Sequence, residues 1–118
     1  ALKDFFQFQF TPRSLKGFDK HPLHQNQACF GLDLRTKKEL PQGFSLKYLL
    51  QFYQLYQKQY PDAEKRFFSR SQWFDLLMGT SQVRKDILQG KTESEIRQAW
   101  EKDLQAYRSL REKYLLYE

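Results

Sequence analysis

A cluster of basic residues in the first third of the chain has the chemistry of an anion-binding site. The net charge is +6, and most of the excess lies between positions 13 and 38. Only Asp19 and Asp33 oppose the basic residues there, which are Arg13, Lys16, Lys20, Arg35, Lys37 and Lys38. Such a local excess favours an anionic ligand or an anionic surface. A solvated charged face is the alternative interpretation.

Two histidines and the single cysteine are the candidates for binding a metal ion. His21, His24 and Cys29 are close enough in sequence for three ligands to meet. A polar loop beside a buried cysteine accounts for the same residues. One cysteine also excludes an internal disulfide and a four-cysteine zinc site. We therefore predict no metal and no other cofactor.

The acidic residues do not form a recognisable catalytic pair. Asp33 lies on the less apolar side of a predicted strand, and Asp75 lies on a short predicted helix, so both are interpreted as solvated or capping residues. The sequence also lacks a Ser/His/Asp order, a phosphate-cradling glycine loop and a nucleotide motif. We predict no catalytic residue in this chain.

A helix–turn–helix pattern over residues 80–107 raises the possibility of DNA binding. A recognition helix should carry net positive charge for phosphate contacts. The acidic residues there nearly cancel the basic ones; they are Glu93, Glu95, Glu101, Asp103 and Glu112. Nucleic acid is therefore not the predicted partner.

Half of the basic cluster lies on a loop between two predicted strands, and the other half lies at the end of the second strand and just after it. Within residues 4–10, Phe6, Phe8 and Phe10 alternate with Gln7 and Gln9, which is typical of a half-buried strand, and Pro12 ends it. Residues 28–35 alternate again and predict the second strand. The polar segment 13–27 between them has no helical or strand period. A third short strand is predicted over residues 65–70.

Helical patterns fill most of the remainder. After a turn at residues 40–43, Ser45 is expected to cap a helix that runs to about residue 59. A short helix over residues 71–78 should bury Trp73, Phe74 and Leu77. The next helix, from Thr80 or Ser81 to Gly90, should bury Val83, Ile87 and Leu88.

The last helix has the clearest signals. Thr92 and Glu95 form a capping box, and Glu93 and Arg97 are spaced for an ion pair. One apolar stripe runs along it and consists of Ile96, Trp100, Leu104, Tyr107, Leu110 and Tyr114. The predicted fold class is α+β: a small sheet of two or three strands, covered on one face by about four helices, with a long C-terminal helix.

Chain length predicts one domain of residues 1–118. No apolar run approaches the roughly 18 residues that a membrane span needs. Because the chain starts at Ala1 and not at methionine, it is expected to have been processed, truncated or excised. The compartment therefore stays open at this point.

Short motifs in a defined order connect the chain to one known family. Phe10-Thr11-Pro12 is followed by a loop with Ser14 and a lysine, and then by the segment from Cys29 to Leu34. Residues 46–61 form a Leu/Tyr-rich helix that ends in Tyr-Pro. The later motifs are Phe74-Asp75-Leu76-Leu77-Met78-Gly79-Thr80, Val83-Arg84 with Ile87, and Trp100, Leu104, Arg108 or Arg111 with Tyr114-Leu115-Leu116-Tyr117. This order resembles the C-terminal part of the exo-β-N-acetylmuramidase (NamZ) family of bacterial cell-wall glycosidases.

The resemblance implies an accessory role. Members of this family remove N-acetylmuramic acid from the non-reducing end of peptidoglycan fragments. An N-terminal α/β domain carries the catalytic glutamate, and a smaller C-terminal domain lies beside the cleft. The chain is therefore expected to complete the substrate cleft and to pack on the N-terminal catalytic domain of the same protein. A periplasmic or secreted location is expected on the same basis.

The resemblance also implies a ligand for the basic loop. N-acetylmuramic acid carries a lactyl carboxylate, which N-acetylglucosamine lacks. We expect Arg13, Lys16 or Lys20 to bind it through charge-assisted hydrogen bonds, with Asn26 and Gln27 contacting sugar hydroxyls. A non-catalytic module that binds an anionic glycan or a protein is the alternative, and a nucleic-acid-binding domain is less favoured.

Overall fold

The structure is a computed structural model that describes residues 2–38 and 43–116. The chain forms two compact units, residues 1–44 and residues 45–118, which we call the sheet unit and the helical unit. The turn predicted at residues 40–43 lies outside the described residues apart from Gly43, and so does Tyr117 of the predicted tail.

The sheet unit contains two short antiparallel strands. Helix α1 spans Leu2–Phe5, strand β1 spans Phe8–Phe10 and strand β2 spans Cys29–Gly31. Phe8 lies opposite Gly31 and Phe10 lies opposite Cys29 in the ladder. Both predicted strands are therefore present, although each is shorter than the alternating pattern indicated. The predicted half-burial of the first strand is wrong, because β1 is exposed at all three positions.

Local hydrogen bonds explain why the strands are short. The N–H of Phe6 donates to the carbonyl of Leu2, so the chain before β1 forms a helical turn and not an extended strand. Asp33 accepts the N–H of Arg35 and caps a 3₁₀ turn over Leu34–Thr36. A short polar side chain that bonds nearby backbone in this way competes with a strand ladder.

Five helices form the helical unit. They are α2 (Lys47–Gln59), α3 (Ala63–Phe67), α4 (Ser71–Met78), α5 (Gln82–Leu88) and α6 (Glu93–Glu112). The buried core consists of Leu46, Tyr53, Phe68, Val83, Ile87 and Ile96. The described residues contain a two-stranded sheet and the helices α1 to α6, of which α6 is the longest. They therefore confirm the α+β class.

The third strand predicted over residues 65–70 is wrong. That segment contains most of α3 and the turn after it. The guanidinium of Arg66 bonds the carboxylate of Asp62 one helical turn earlier, at 2.8 Å, which suits helical spacing. The ring centroids of Phe67 and Phe68 lie 5.1 and 5.5 Å from that of Tyr53. Adjacent residues can both reach the same ring because the backbone turns between them, which an alternating strand does not allow.

Helix α4 exposes residues that the sequence predicted to be buried. Trp73 and Leu77 are 62% and 71% exposed, whereas Phe74 and Met78 pack against the core. Phe74 contacts Phe68, with ring centroids 4.9 Å apart. The prediction was right for Phe74 and wrong for Trp73 and Leu77, because an amphipathic pattern gives a helix's spacing but not its rotation when both sides are apolar.

The N-terminal signals of α6 are confirmed. Thr92 and Glu95 form the capping box, and Arg97 bonds Glu93 at 3.2 Å. The predicted stripe is buried only at its start, because Ile96 is in the core and Trp100 packs against it. The later stripe residues are exposed, and they are Leu104, Tyr107, Leu110 and Tyr114. None of the helices in the described ranges is long and apolar enough to span a membrane.

A carboxylate at the start of α6 connects that helix to the start of α2. Glu93 accepts the N–H of Leu46 at 2.9 Å and the hydroxyl of Ser45 at 3.3 Å. Ser45 in turn accepts the N–H of Lys47. The N-cap of α2 is nevertheless Leu46 and not the predicted Ser45, so the helix begins one residue later than expected. Burial raises the pKa of Glu93, but the hydrogen bonds from Leu46, Arg97 and Ser45 together hold it below its usual 4.5. Glu93 therefore satisfies a backbone donor that the helix end leaves without a partner.

Replacing Glu93 with alanine should lower the free energy of unfolding by about 1–3 kcal/mol, because the N–H of the buried Leu46 then lacks its acceptor. Urea denaturation followed by circular dichroism measures the change. Arg97→Ala is the control, since it removes the ion pair of Glu93 on the helix surface but leaves the bond to Leu46, and the loss of that pair should cost under about 0.5 kcal/mol. An equal decrease in the free energy of unfolding in the two variants would show that the bond between Glu93 and Leu46 does not stabilise the fold.

An ion pair between a buried carboxylate and a partly exposed lysine fixes the connection between α5 and α6. Asp86 is fully buried, and its Oδ1 accepts Lys91 Nζ at 2.7 Å and Gln82 Nε2 at 2.8 Å. Its Oδ2 has no partner among the described residues. The hydrogen bond from Lys91 holds the pKa of Asp86 below its usual 3.8; burial opposes this shift, and the bond from Gln82 supports it.

Replacing Lys91 with methionine should invert the contribution of Asp86 to the pH dependence of stability. In the native chain the folded pKa is depressed, so the stabilisation is present above about pH 4 and is lost as pH falls through the folded pKa. Without Lys91, burial outweighs the remaining bond and raises the folded pKa above the unfolded one. The variant's deficit in unfolding free energy should therefore shrink as pH falls from 7 towards 4.

Urea denaturation of the variant and the native chain across this pH range measures the deficit. Lys102→Met, which changes an exposed lysine of α6, is the matched control and should follow the native profile. A deficit for Lys91→Met that is constant with pH would contradict the assigned role of Asp86.

Candidate functional site

The loop between the strands, residues 11–28, is the basic loop, and its first half is a hydrogen-bonded turn. The N–H of Phe18 donates to the carbonyl of Leu15 at 3.1 Å, and the N–H of Leu15 donates to the carbonyl of Asp19 at 2.9 Å. Gly17 has φ +88° at the third turn position. Glycine adopts that conformation at no steric cost, so this turn has a defined shape.

The second half of the basic loop is closed by further backbone bonds. The N–H of Gln25 donates to the carbonyl of Pro22, and the N–H of Gln27 donates to the carbonyl of His24. The N–H of Asn26 crosses the loop to the carbonyl of Pro12 at 2.9 Å. His24 and Asn26 have φ of 58° and 62°, a region that few side chains other than these tolerate. Local bonds therefore shape the loop.

All five predicted binding residues lie on the basic loop with exposed side chains; they are Arg13, Lys16, Lys20, Asn26 and Gln27. The bond between Asn26 and Pro12 brings Asn26 next to the chain at Arg13. Lys16 and Lys20 lie within and just after the turn. The carboxamide of Gln27 contacts the ring of His24 at 3.2 Å. Their role in binding stays a prediction.

Ion pairing separates the basic residues of this region into two groups. Arg35 donates from Nε and Nη2 to the carboxylate of Asp33, at 2.9 and 2.7 Å. These bonds hold the pKa of Asp33 below its usual value. Across residues 2–38 and 43–116, no carboxylate forms an ion pair with Arg13, Lys16 or Lys20. Those three cations are available to an anionic ligand.

The candidates for binding a metal ion do not form a site. Within the part of the chain that the structure describes, no group of three or more histidine, cysteine or acidic side chains is placed to hold an ion. His21 and His24 are exposed on the basic loop, and Cys29 is half-buried on β2.

A cleft of about 500 Å³ lies at the other end of the strand ladder from the basic loop. It is lined by Asp4, Phe5, Gln7, Phe8, Gly31, Leu32, Asp33 and Lys37. Acidic and basic side chains both line it, so its charge does not favour an anion in the way that the basic loop does.

Exposed apolar side chains on the basic loop were missed by the sequence reasoning. Phe18 is 91% exposed, Leu23 is 82% exposed and Leu15 is 60% exposed. The available signal was Gly17 directly before Phe18, since a glycine turn with charged neighbours indicates an exposed loop tip. The loop therefore offers apolar as well as cationic groups.

The comparison with known families decides which proteins this chain is related to. The family described as "Exo-beta-N-acetylmuramidase NamZ, C-terminal" matches residues 3–117. The chain belongs to the NamZ family. Searches of curated proteins and of solved structures find no match. Membership as a C-terminal domain implies an N-terminal partner domain in the same protein.

The motifs behind the resemblance to NamZ occupy defined elements. Phe10 ends β1, and the segment that starts at Cys29 forms β2 and the turn after it. The motif from Phe74 to Gly79 forms most of α4, and Gly79 ends that helix with φ +73°. Arg84 lies on α5 and bonds the carboxylate of Asp75 at 2.9 and 2.8 Å. The Asp and Arg of these motifs therefore connect two helices.

Asn26 should be replaceable by glycine but not by alanine without loosening the basic loop. Alanine has a Cβ but no polar group. At the φ of 62° found here, it is therefore roughly 1 kcal/mol less stable than glycine. Opening of the bond to Pro12 should therefore become about fivefold more frequent in Asn26→Ala. Amide hydrogen exchange of residue 26, measured by NMR, tests this. Exchange in Asn26→Gly should stay within about twofold, and equal exchange in both variants would contradict the strain argument.

Proposed function

We propose that this chain completes the substrate cleft of a NamZ-type exo-β-N-acetylmuramidase. The catalytic glutamate would belong to the N-terminal domain, on which this domain packs. The substrates would be peptidoglycan fragments that end in N-acetylmuramic acid, in the periplasm or outside the cell. The match of the NamZ family to residues 3–117 carries this proposal.

The basic loop supplies the selectivity in this proposal. Arg13, Lys16 or Lys20 binds the lactyl carboxylate, which is the group that distinguishes muramic acid from glucosamine. Their exposure and their lack of carboxylate partners among the described residues support this role. Asn26 and Gln27 contact sugar hydroxyls from the other half of the loop.

The expected size of the effect follows from charged hydrogen bonds. A hydrogen bond to a charged group contributes about 1.5–3 kcal/mol, which corresponds to roughly tenfold to a hundredfold in affinity. Local backbone bonds hold the loop before a ligand arrives, so less conformational entropy is lost on binding. A guanidinium can also bind a carboxylate through two parallel bonds, which favours Arg13 as the main contact.

A non-catalytic module that binds an anionic glycan is the second candidate. This candidate is favoured by the way the basic loop is held, because the backbone hydrogen bonds that shape the loop join residues 12–27 of the sheet unit to one another. A loop of this kind needs no second domain for its shape. This function predicts glycan affinity that is the same with and without the N-terminal domain.

The muramic-to-glucosamine preference of the two-domain protein tests the first proposal. The preference is the ratio of kcat/KM for chromogenic β-glycosides of N-acetylmuramic acid and N-acetylglucosamine. Arg13→Ala and Lys20→Ala should each reduce this ratio about tenfold, mainly through KM for the muramic substrate. The cause is the loss of a carboxylate contact that glucosamine never makes.

Arg108→Ala, which removes an exposed cation on α6, is the matched control and should leave the ratio unchanged. An unchanged ratio in Arg13→Ala and Lys20→Ala would refute the role of the basic loop. Absence of release from either glycoside by the two-domain protein would refute the enzyme proposal and favour the binding module.

A further inference from the structure

The exposed ring of Phe18 offers a flat apolar surface to a ligand. It is the most exposed aromatic side chain of the sheet unit's described residues, at 91%. The backbone that carries it is nevertheless fixed, because its own N–H bonds Leu15 and the N–H of Leu15 bonds Asp19. An aromatic ring in water on an ordered turn loses the free energy that burial would give it. A ligand that covers the ring would recover that free energy.

The charges around Phe18 restrict the chemistry of that ligand. Lys16 and Lys20 lie two residues on either side of it, and neither forms an ion pair within residues 2–38 and 43–116. Asp19 lies next to Phe18, but its carboxylate accepts the N–H of His21 at 2.9 Å, and residues 16–20 keep a net positive charge. The fitting ligand therefore has an anionic group close to an apolar face. A pyranose ring presents one such face of C–H groups, which suits the negative face of an aromatic ring. A sugar acid combines that face with a carboxylate.

We propose that Phe18 stacks on the apolar face of the terminal sugar ring while the neighbouring cations bind its carboxylate. This inference rests on the proposed function, because it assumes that the basic loop meets the glycan end. The inference adds a contact whose strength does not depend on the charge of the sugar. Stacking on the ring favours muramic acid and glucosamine equally, whereas the cations favour only muramic acid.

Kinetics of the two-domain protein separate the two contacts. Phe18→Ala should raise KM about threefold to tenfold for both the muramic and the glucosamine glycoside. The muramic-to-glucosamine preference and kcat should not change, because ground-state and transition-state binding fall together. Phe18→Trp keeps an aromatic ring at this position and should leave KM for both glycosides near the native value. The side chain is exposed, so neither variant should affect folding.

Leu23→Ala is the matched control, since Leu23 is 82% exposed on the other half of the loop. It should leave KM unchanged. An unchanged KM in Phe18→Ala, while Arg13→Ala alters the preference, would overturn the stacking contact and leave the proposed function intact. An equal rise in KM for Leu23→Ala would also overturn the stacking contact, because the effect would then come from any exposed apolar side chain of the loop and not from the aromatic ring. Absence of glycoside release by the native two-domain protein would overturn both.

Binding to lipid is the remaining outcome. Vesicles of phosphatidylglycerol, with phosphatidylcholine vesicles as the neutral control, test it by co-sedimentation of the two-domain protein. Binding that Phe18→Ala abolishes while KM stays unchanged would overturn the sugar contact in favour of an anionic membrane surface. No difference between the two vesicle types, together with the rise in KM, supports the sugar contact.

Discussion

The helical unit depends on one carboxylate that joins the beginnings of its two longest helices. Glu93 lies in the first turn of α6 and accepts the N–H of Leu46, 47 residues earlier in the chain. Leu46, which donates this bond, and Ile96, three residues after Glu93, are both in the buried core. The polar contact therefore fixes the register in which α2 and α6 meet, and the apolar core supplies most of the stabilisation.

The sheet unit is stabilised differently, and this difference matters for binding. Its basic loop is shaped by backbone hydrogen bonds and by positive φ angles at Gly17, His24 and Asn26. The three cationic side chains and the ring of Phe18 make none of these backbone bonds and remain exposed. A loop of this construction can keep its shape while its side chains are matched to a ligand, which is how binding loops on ordered scaffolds generally work.

Local signals were sufficient for some elements and insufficient for others. The capping box at Thr92 and Glu95 and the ion pair of Glu93 with Arg97 were predicted correctly, because both depend on residues within one turn. The third strand failed because the ring contacts of Phe67 and Phe68 with Tyr53 override the local pattern. For the candidate site, the sequence predicted the basic loop and its five residues but not Phe18, because exposure depends on how the turn is folded.

The sequence by itself determined the α+β class, the boundaries of α2, α4 and α5 to within about two residues, the start of α6, the charge of the basic loop and the relation to NamZ. Each of these is encoded in residue type and short spacing. Only the tertiary structure decided which apolar residues are buried. Trp73 and Leu77 satisfy the helical period as well as Phe74 does, yet only Phe74 of these packs against the core. The same holds for Glu93, whose bond to Leu46 joins residues that are distant in sequence. Contacts of that kind depend on packing between elements, which local periodicity does not specify.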